Sequence, residues 1–246
     1  MRVPALALLL AALTSACGGG LLKKEYEYEE ELYLSLDGSA QLNVNASVAS
    51  LVALRGADLA VDPRARVDRA DVRALFDAPG VEVSTPTFSR RDGRRFVHVR
   101  LDVADLRRLS SVTPLSWSTY RFERQGDTFE YRQVVGPSAG KAVESIGWTG
   151  DELVAFRMHL PSKVDYHNAP SRRTERGNIL EWEQPLAARL KGETLELEVR
   201  MEPETILYTT LLLFGATIVA AVMTFAAVIF WVARRGRDPE MAELRP

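Results

Sequence analysis

The chain has 246 residues, 46% of them apolar, with 31 Lys and Arg against 33 Asp and Glu, three His and one Cys. Its net charge of −2 excludes the basic surface that nucleic-acid binding needs, and a single cysteine excludes an intrachain disulfide. The apolar content is that of a folded chain, not of a disordered one.

In chain order, Arg2, the apolar run Pro4 to Leu13 and the small residues Thr14-Ser15-Ala16 predict a signal peptide over residues 1–16. The run is too short to cross a hydrocarbon core of about 30 Å. Cleavage after Ala16 would leave Cys17 first, followed by a Gly-rich linker over 17–24. A cysteine there has the setting of a bacterial lipobox and is the candidate lipidation site. Thr14 stands where such boxes usually carry leucine. One unpaired thiol has little other use in an oxidising compartment.

Residues 25–203 predict one extracytoplasmic, β-rich domain. Tyr26, Tyr28, Leu32, Leu34 and Leu36 alternate with Glu25, Glu27, Glu29 and Glu31, which predicts a strand with one apolar and one acidic face. Asp37-Gly38 then turns the chain into a return strand through Leu42, Val44, Ala46 and Val48. A helix is expected at Arg69–Asp77, stopped by Pro79-Gly80, and another at Val103–Leu109. Between them, Asp92-Gly93 predicts a second hairpin from Val81–Arg90 and Arg94–Leu101, and Gln125-Gly126-Asp127 turns a third. Glu152–Leu160, Asn178–Glu183 and Glu193–Met201 read as further strands. The fold class expected is α+β, mostly antiparallel hairpins with two or three short helices and one C-terminal transmembrane helix.

That helix is the strongest signal. Ile206 to Ala233 is 28 residues without a charge, with Tyr208 and Trp231 near its ends and Arg234, Arg235 and Arg237 directly after it. The length suffices to span a bilayer with tilt. The arginines put the tail 234–246 in the cytoplasm and the domain outside it. The expectation is a single-pass protein of a bacterial cytoplasmic membrane, with the domain held at both ends.

Four candidates for chemistry stand out. Gly136-Pro137-Ser138-Ala139-Gly140 matches the G-x-S-x-G elbow, with Asp165 and His167 in order downstream; Pro137, Gly140 and the antiparallel surroundings read instead as a Gly/Pro-rich loop. His159, Asp165 and His167 have no metal-ligand spacing, and neither a metal nor a cofactor is expected. Arg90, Arg91, Arg94 and Arg95 bracket a hairpin tip and are the candidate head-group-binding residues, since guanidinium groups pair bidentately with phosphate. Arg172, Arg173 and Arg176 form a second basic loop. Asn45-Ala46-Ser47 is a glycosylation sequon in a predicted strand, without consequence in a bacterium.

The cysteine, the hairpin "YLSLDGSAQLNV", the segment "MHLPSKVDYHNAPSRRTERGNILEWEQPL" and the terminal helix capped by "RRGR" together resemble the LppM-type envelope lipoproteins. The resemblance implies a mostly β, exported, membrane-held domain acting by binding at the envelope, and it carries no ligand residues over. The function expected is a non-catalytic binding module for lipid, glycolipid or an envelope partner beside the membrane. Two alternatives stand: an accessory subunit whose helix packs on a partner through Gly215, Ala216, Ala220 and Ala221, and a serine hydrolase of envelope polymers built on Ser138.

Overall fold

In the computed structural model, described over residues 24, 26–143, 146–170 and 178–235, the chain is α+β with two sheets. The first three strands are β1 (Tyr26–Leu34), β2 (Ala40–Ser47) and, after two helices, β3 (Val81–Val83); β4 (Thr87–Arg91) and β5 (Arg94–Val103) follow. Then come β6 (Ser118–Gln125), β7 (Thr128–Val135), β8 (Leu153–His159), β9 (Ser162–His167), β10 (Ile179–Pro185) and β11 (Leu195–Thr205). Sheet A has the order β10-β8-β1-β2-β5-β3, with β4 also on β5; sheet B has the order β6-β7-β11-β9. Their inner faces share one apolar core, with Tyr28 of β1 edge-on to Trp117 at 5.4 Å between ring centroids.

The expected hairpins form around Asp37-Gly38, Asp92-Gly93 and Gly126-Asp127. The expected arm Val81–Arg90 is two strands, not one. Ser84, Thr85 and Pro86 interrupt it, and Pro86 has no N–H for the ladder. One pairing is parallel: β8 lies against β1 from Leu153 opposite Tyr26 to His159 opposite Tyr33. His167, expected in a loop, ends strand β9.

The alternation of β1 also breaks at its start. Tyr26 pairs with Leu153 and Tyr28 with Val154, two residues against one, which is a bulge. It turns Tyr26 to the outer face, where its hydroxyl donates to Glu181 at 3.1 Å and also to Glu183, and it turns Glu27 inward to full burial.

After β2 the chain does not continue as a strand through Val48. Ser47 Oγ accepts from Ser50 N at 2.9 Å and caps helix α1 (Val48–Arg55). Its residues Val48 to Leu54 are all buried, so no polar stripe marks it as a helix. Helix α2 (Arg69–Phe76) falls where expected, capped by Asp68. The second expected helix is instead a 3-10 turn at Leu106–Ser111, because β5 runs on through Val103. A further short helix, α3 (Leu186–Leu190), follows β10.

Strand β11 passes without an intervening residue into α4 (Ile206–Arg235), which is apolar and long enough to cross a membrane. At about 1.5 Å per residue its 30 residues reach roughly 45 Å. The hydroxyls of Thr210, Thr217 and Thr224 donate to the carbonyls four residues back, so these three are paired within the helix itself.

Glu30 of β1 is a carboxylate buried between the two sheets. It accepts from Tyr28 at 2.7 Å, from Tyr120 at 3.2 Å and from Gln133 at 3.3 Å. Burial raises its pKa against these bonds. A carboxyl whose folded pKa is raised binds more protons folded than unfolded, so its stabilising share is full below the ordinary carboxylate pKa and is lost as pH climbs through the raised one. Glu30→Gln, which keeps the volume and cannot ionise, is therefore expected to gain stability relative to wild type on going from pH 4 to pH 8, by roughly 1–3 kcal/mol. Parallel urea titrations at the two pH values check it; an unchanged difference would mean that Glu30 does not titrate in that window.

Candidate functional site

The outer face of sheet A is built by residues that alternate with the core positions, and strand register lines them up. Across it run Glu181, Arg157, Glu31 and Asn43 in one row and Glu183, Glu29, Asn45 and His98 in the next. Arg157 bridges Glu29 and Glu181, each at 2.8 Å. His159 meets Glu31 at 2.8 Å and stacks on Tyr33, with centroids 4.0 Å apart and planes 9° from parallel. Burial pushes the Glu31 carboxyl up, but hydrogen bonds from His159, Tyr33 and Asn43 outweigh it and hold the pKa below its ordinary value.

The two poles of this face differ. β1, β5 and β8 run the same way, so Leu34, Val103 and His159 share one pole and Tyr26, Arg94 and Leu153 the other. After β8, Pro161 O accepts from Ile206 N at 3.0 Å, and Thr205 Oγ1 accepts from Tyr208 N at 3.0 Å. The start of α4 is thus stitched to the His159 pole. A cleft of about 770 Å³ opens at that pole, lined among others by Tyr33, Gln41, Glu82 and Asp102.

The arginine hairpin lies at the other pole. From Val103 back to Arg94 is nine residues, or about 30 Å at 3.3 Å each. Its four guanidinium groups do not form one outward patch. Arg94 is 5% exposed and meets buried Glu27 at 3.0 Å and Gly147 O at 3.0 Å. Arg91 donates to Tyr26 O, lies 3.8 Å from Glu27 and covers the Phe96 ring at 4.2 Å. Arg90 and Arg95 both donate to Pro63 O, at 3.1 and 3.0 Å, and Arg95 also to Ala65 O at 2.5 Å. What the sequence presents as a basic tip is largely a set of internal clamps.

The other candidates are not brought together. Ser138 follows β7, whose Val135 is level with Leu195, whereas His167 is level with Val199 two strands over, so the strand end leading to Ser138 lies about 16 Å from His167. No helix follows Ser138, as an elbow requires. His159 belongs to sheet A, and Asp165 and His167 to sheet B. Among the described residues no group of three or more His, Cys, Asp and Glu is placed to hold a metal ion. Asn45 is engaged by Glu29 and His98. Cys17, the signal peptide and Arg172, Arg173 and Arg176 lie outside the described residues; of the expected linker 17–24 only Lys24 is described, ion-paired to Glu183 at 2.6 Å.

Sequence reasoning missed the polar outer face of β8 and β10 and the cleft. The alternation in "YEYEEELYL" marks a polar face, but its partners Arg157 and His159 come from a strand more than a hundred residues away.

No family model matches the chain, and no curated protein matches it. Among solved structures it is similar to the folded domain of LppM from Mycobacterium tuberculosis, determined by NMR, at 12% identity and a TM-score of 0.43, over 74% of this chain and 94% of that one. That is a distant likeness and does not place the chain in a family.

Proposed function

We propose that the chain is a single-pass membrane protein whose extracytoplasmic domain is a binding module working against the bilayer that holds α4, with the cleft at the His159 pole receiving a lipid or glycolipid head group or an envelope partner. The junction carries this reading. A strand that becomes the membrane helix with no linker, and is stitched to the β8–β9 turn, keeps the domain from swinging away. The cleft lies at the stitched pole, the side on which this reading sets the head groups. Its Glu82 and Asp102 carboxylates, the Gln41 amide and the hydroxyls of Tyr33, Ser35 and Ser39 suit a polar, hydroxyl-rich ligand.

The arginine hairpin has a different place in this reading. At the far pole it faces away from that bilayer, and it is not the head-group contact.

A lipid on Cys17 meets a geometric condition. Tyr26 is level with Leu153, eight residues from Pro161 and so about 26 Å from the helix start along β8. The nine residues from Cys17 to Tyr26 reach at most about 32 Å. Both anchors share one bilayer only with that segment drawn out along the domain.

The test is hydroxyl-radical footprinting of the full chain in nanodiscs of anionic phospholipid and in detergent micelles. Tyr33 is expected to be oxidised several-fold more slowly in nanodiscs, with Phe88 towards the other pole unchanged. Equal oxidation of Tyr33 in both, or protection of Phe88 instead, would overturn the orientation.

A further inference from the structure

On the outer face of sheet A, three adjacent strands bring together residues that no motif connects. Ser89 of β4 has its Oγ 2.7 Å from His98 Nε2, and His98 Nδ1 is 2.8 Å from Asn45 Oδ1 on β2. Behind them, Asn45 Nδ2 donates to Glu29 Oε2 at 3.3 Å.

That last bond decides the protons. A carboxylate only accepts, so the Asn45 amide must turn its NH2 to Glu29 and its oxygen to His98. The oxygen accepts, so His98 carries its proton on Nδ1. Nε2 is then a lone pair, and the Ser89 hydroxyl donates to it. Burial, with Arg91 adding to it, holds His98 below its ordinary pKa, so the ring is neutral at pH 7 and ready to take a proton. Ser89 is exposed at a cavity of about 240 Å³ that Tyr26, Arg91 and Phe96 help to line.

We propose that Ser89, His98 and Asn45 are a nucleophile, a general base and a positioning residue, and that this cavity transfers the acyl group of a small carboxylic ester to Ser89. This goes beyond the binding role and does not depend on it. Nucleophile, base and orienting group stand in hydrogen-bond order, which is the geometric requirement for such a centre. Ser89 Oγ bonds to the ester carbonyl carbon as its proton passes to His98 Nε2. The bond to the leaving alkoxide breaks, and the alkoxide takes that proton from His98. Water, giving a proton to Nε2, then attacks the acyl-serine; the acid leaves and Ser89 Oγ regains the proton. Arg91, which helps to line the cavity, is the positive charge available to the developing oxyanion. Asn45 holds the ring's tautomer, and Glu29 behind it offsets the charge of the imidazolium.

The test uses the full chain in detergent, a fluorophosphonate probe and peptide mapping by mass spectrometry, with p-nitrophenyl acetate turnover alongside. Ser89 is expected to carry the label, and Ser89→Ala to lose it. His98→Gln should slow labelling by about 10²–10⁴-fold with an unchanged circular dichroism spectrum, while Ser138→Ala labels like wild type. Asn45→Asp should keep the label and move its pH midpoint upward, since a carboxylate facing Nδ1–H favours the imidazolium against Arg91 on β4 and adds to Glu29 on β1. An unlabelled Ser89 peptide, or labelling as fast in His98→Gln as in wild type, would overturn the proposal and leave a hydrogen-bonded sheet surface.

Discussion

Replacing Arg94 by leucine is expected to destabilise the domain by about 3–5 kcal/mol, the usual cost of removing one partner from a buried ion pair. Glu27 is fully buried and Arg94 is 5% exposed, at 3.0 Å from one another. The second Glu27 oxygen accepts from Trp148 Nε1 at 3.1 Å, and Arg94 also donates to Gly147 O. Without the guanidinium, the carboxylate stays buried with Arg91 3.8 Å away as its nearest cation. A domain has only about 5–15 kcal/mol of net stability, so the loss takes a large share. The double variant Glu27→Leu/Arg94→Leu is expected to recover much of it, because an apolar pair in that space carries no desolvation penalty. Urea unfolding of the full chain in detergent, followed by tryptophan fluorescence, measures both. A single-variant loss below about 1 kcal/mol, the range of exposed pairs, would show that Glu27 reaches water.

The same pair governs how the arginine hairpin is to be tested. Serine at positions 90, 91, 94 and 95 together would abolish vesicle adhesion by unfolding the domain, whatever the hairpin binds. Arg90→Ser with Arg95→Ser leaves Glu27 paired and removes only the clamps on Pro63 and Ala65. That pair of substitutions is the one that separates binding from folding.

The limits of the sequence are physical and local. Three hairpins were legible because a turn glycine sits between alternating runs, and the long apolar helix because no charge interrupts it. Helix α1 was not, since a helix buried on every side has no period to detect. Nor was the inward turn of Glu27, which depends on one extra residue in the pairing of β1 with β8, a strand that arrives more than a hundred residues later. The surroundings of the candidate site residues were hidden for the same reason. Four arginines in six residues look like a patch, yet Glu27 draws Arg94 inward and the 62–66 loop, also distant in sequence, ties down Arg90 and Arg95. Asn45, Ser89 and His98 are unremarkable one by one and acquire chemistry only through the register of β2, β4 and β5.

Gly140→Ala is expected to cost about 3–5 kcal/mol, although the residue lies in a loop and a methyl group is the smallest possible addition. Helix α1 is buried, so the carbonyls of its last turn cannot turn to water. Gly56 N and Ala57 N serve two of them, at Val52 and Leu51. The strand-like segment after Ser138 adds two more bonds, with Ala139 N on Leu54 O at 3.3 Å and Lys141 N as a second donor to Val52 O at 3.1 Å. Between those two bonds Gly140 lies so close that a Cβ would overlap the Ala53 carbonyl oxygen. The segment must lift, which costs roughly 1–3 kcal/mol in disrupted packing and gives up two hydrogen bonds worth about 0.5–1.5 kcal/mol each. Gly136, whose N–H donates to Trp117 O at 2.7 Å, would bring a Cβ to 3.0 Å from the same oxygen, so Gly136→Ala is expected to cost less. The glycines of Gly136-Pro137-Ser138-Ala139-Gly140 are thus explained by backbone packing, one against Trp117 and one against α1, with no demand on the serine between them. Ser138→Ala should change stability by less than about 0.5 kcal/mol. If Gly140→Ala unfolded at the same urea concentration as wild type, the segment would not be the cover of α1, and the spacing of those glycines would need another cause.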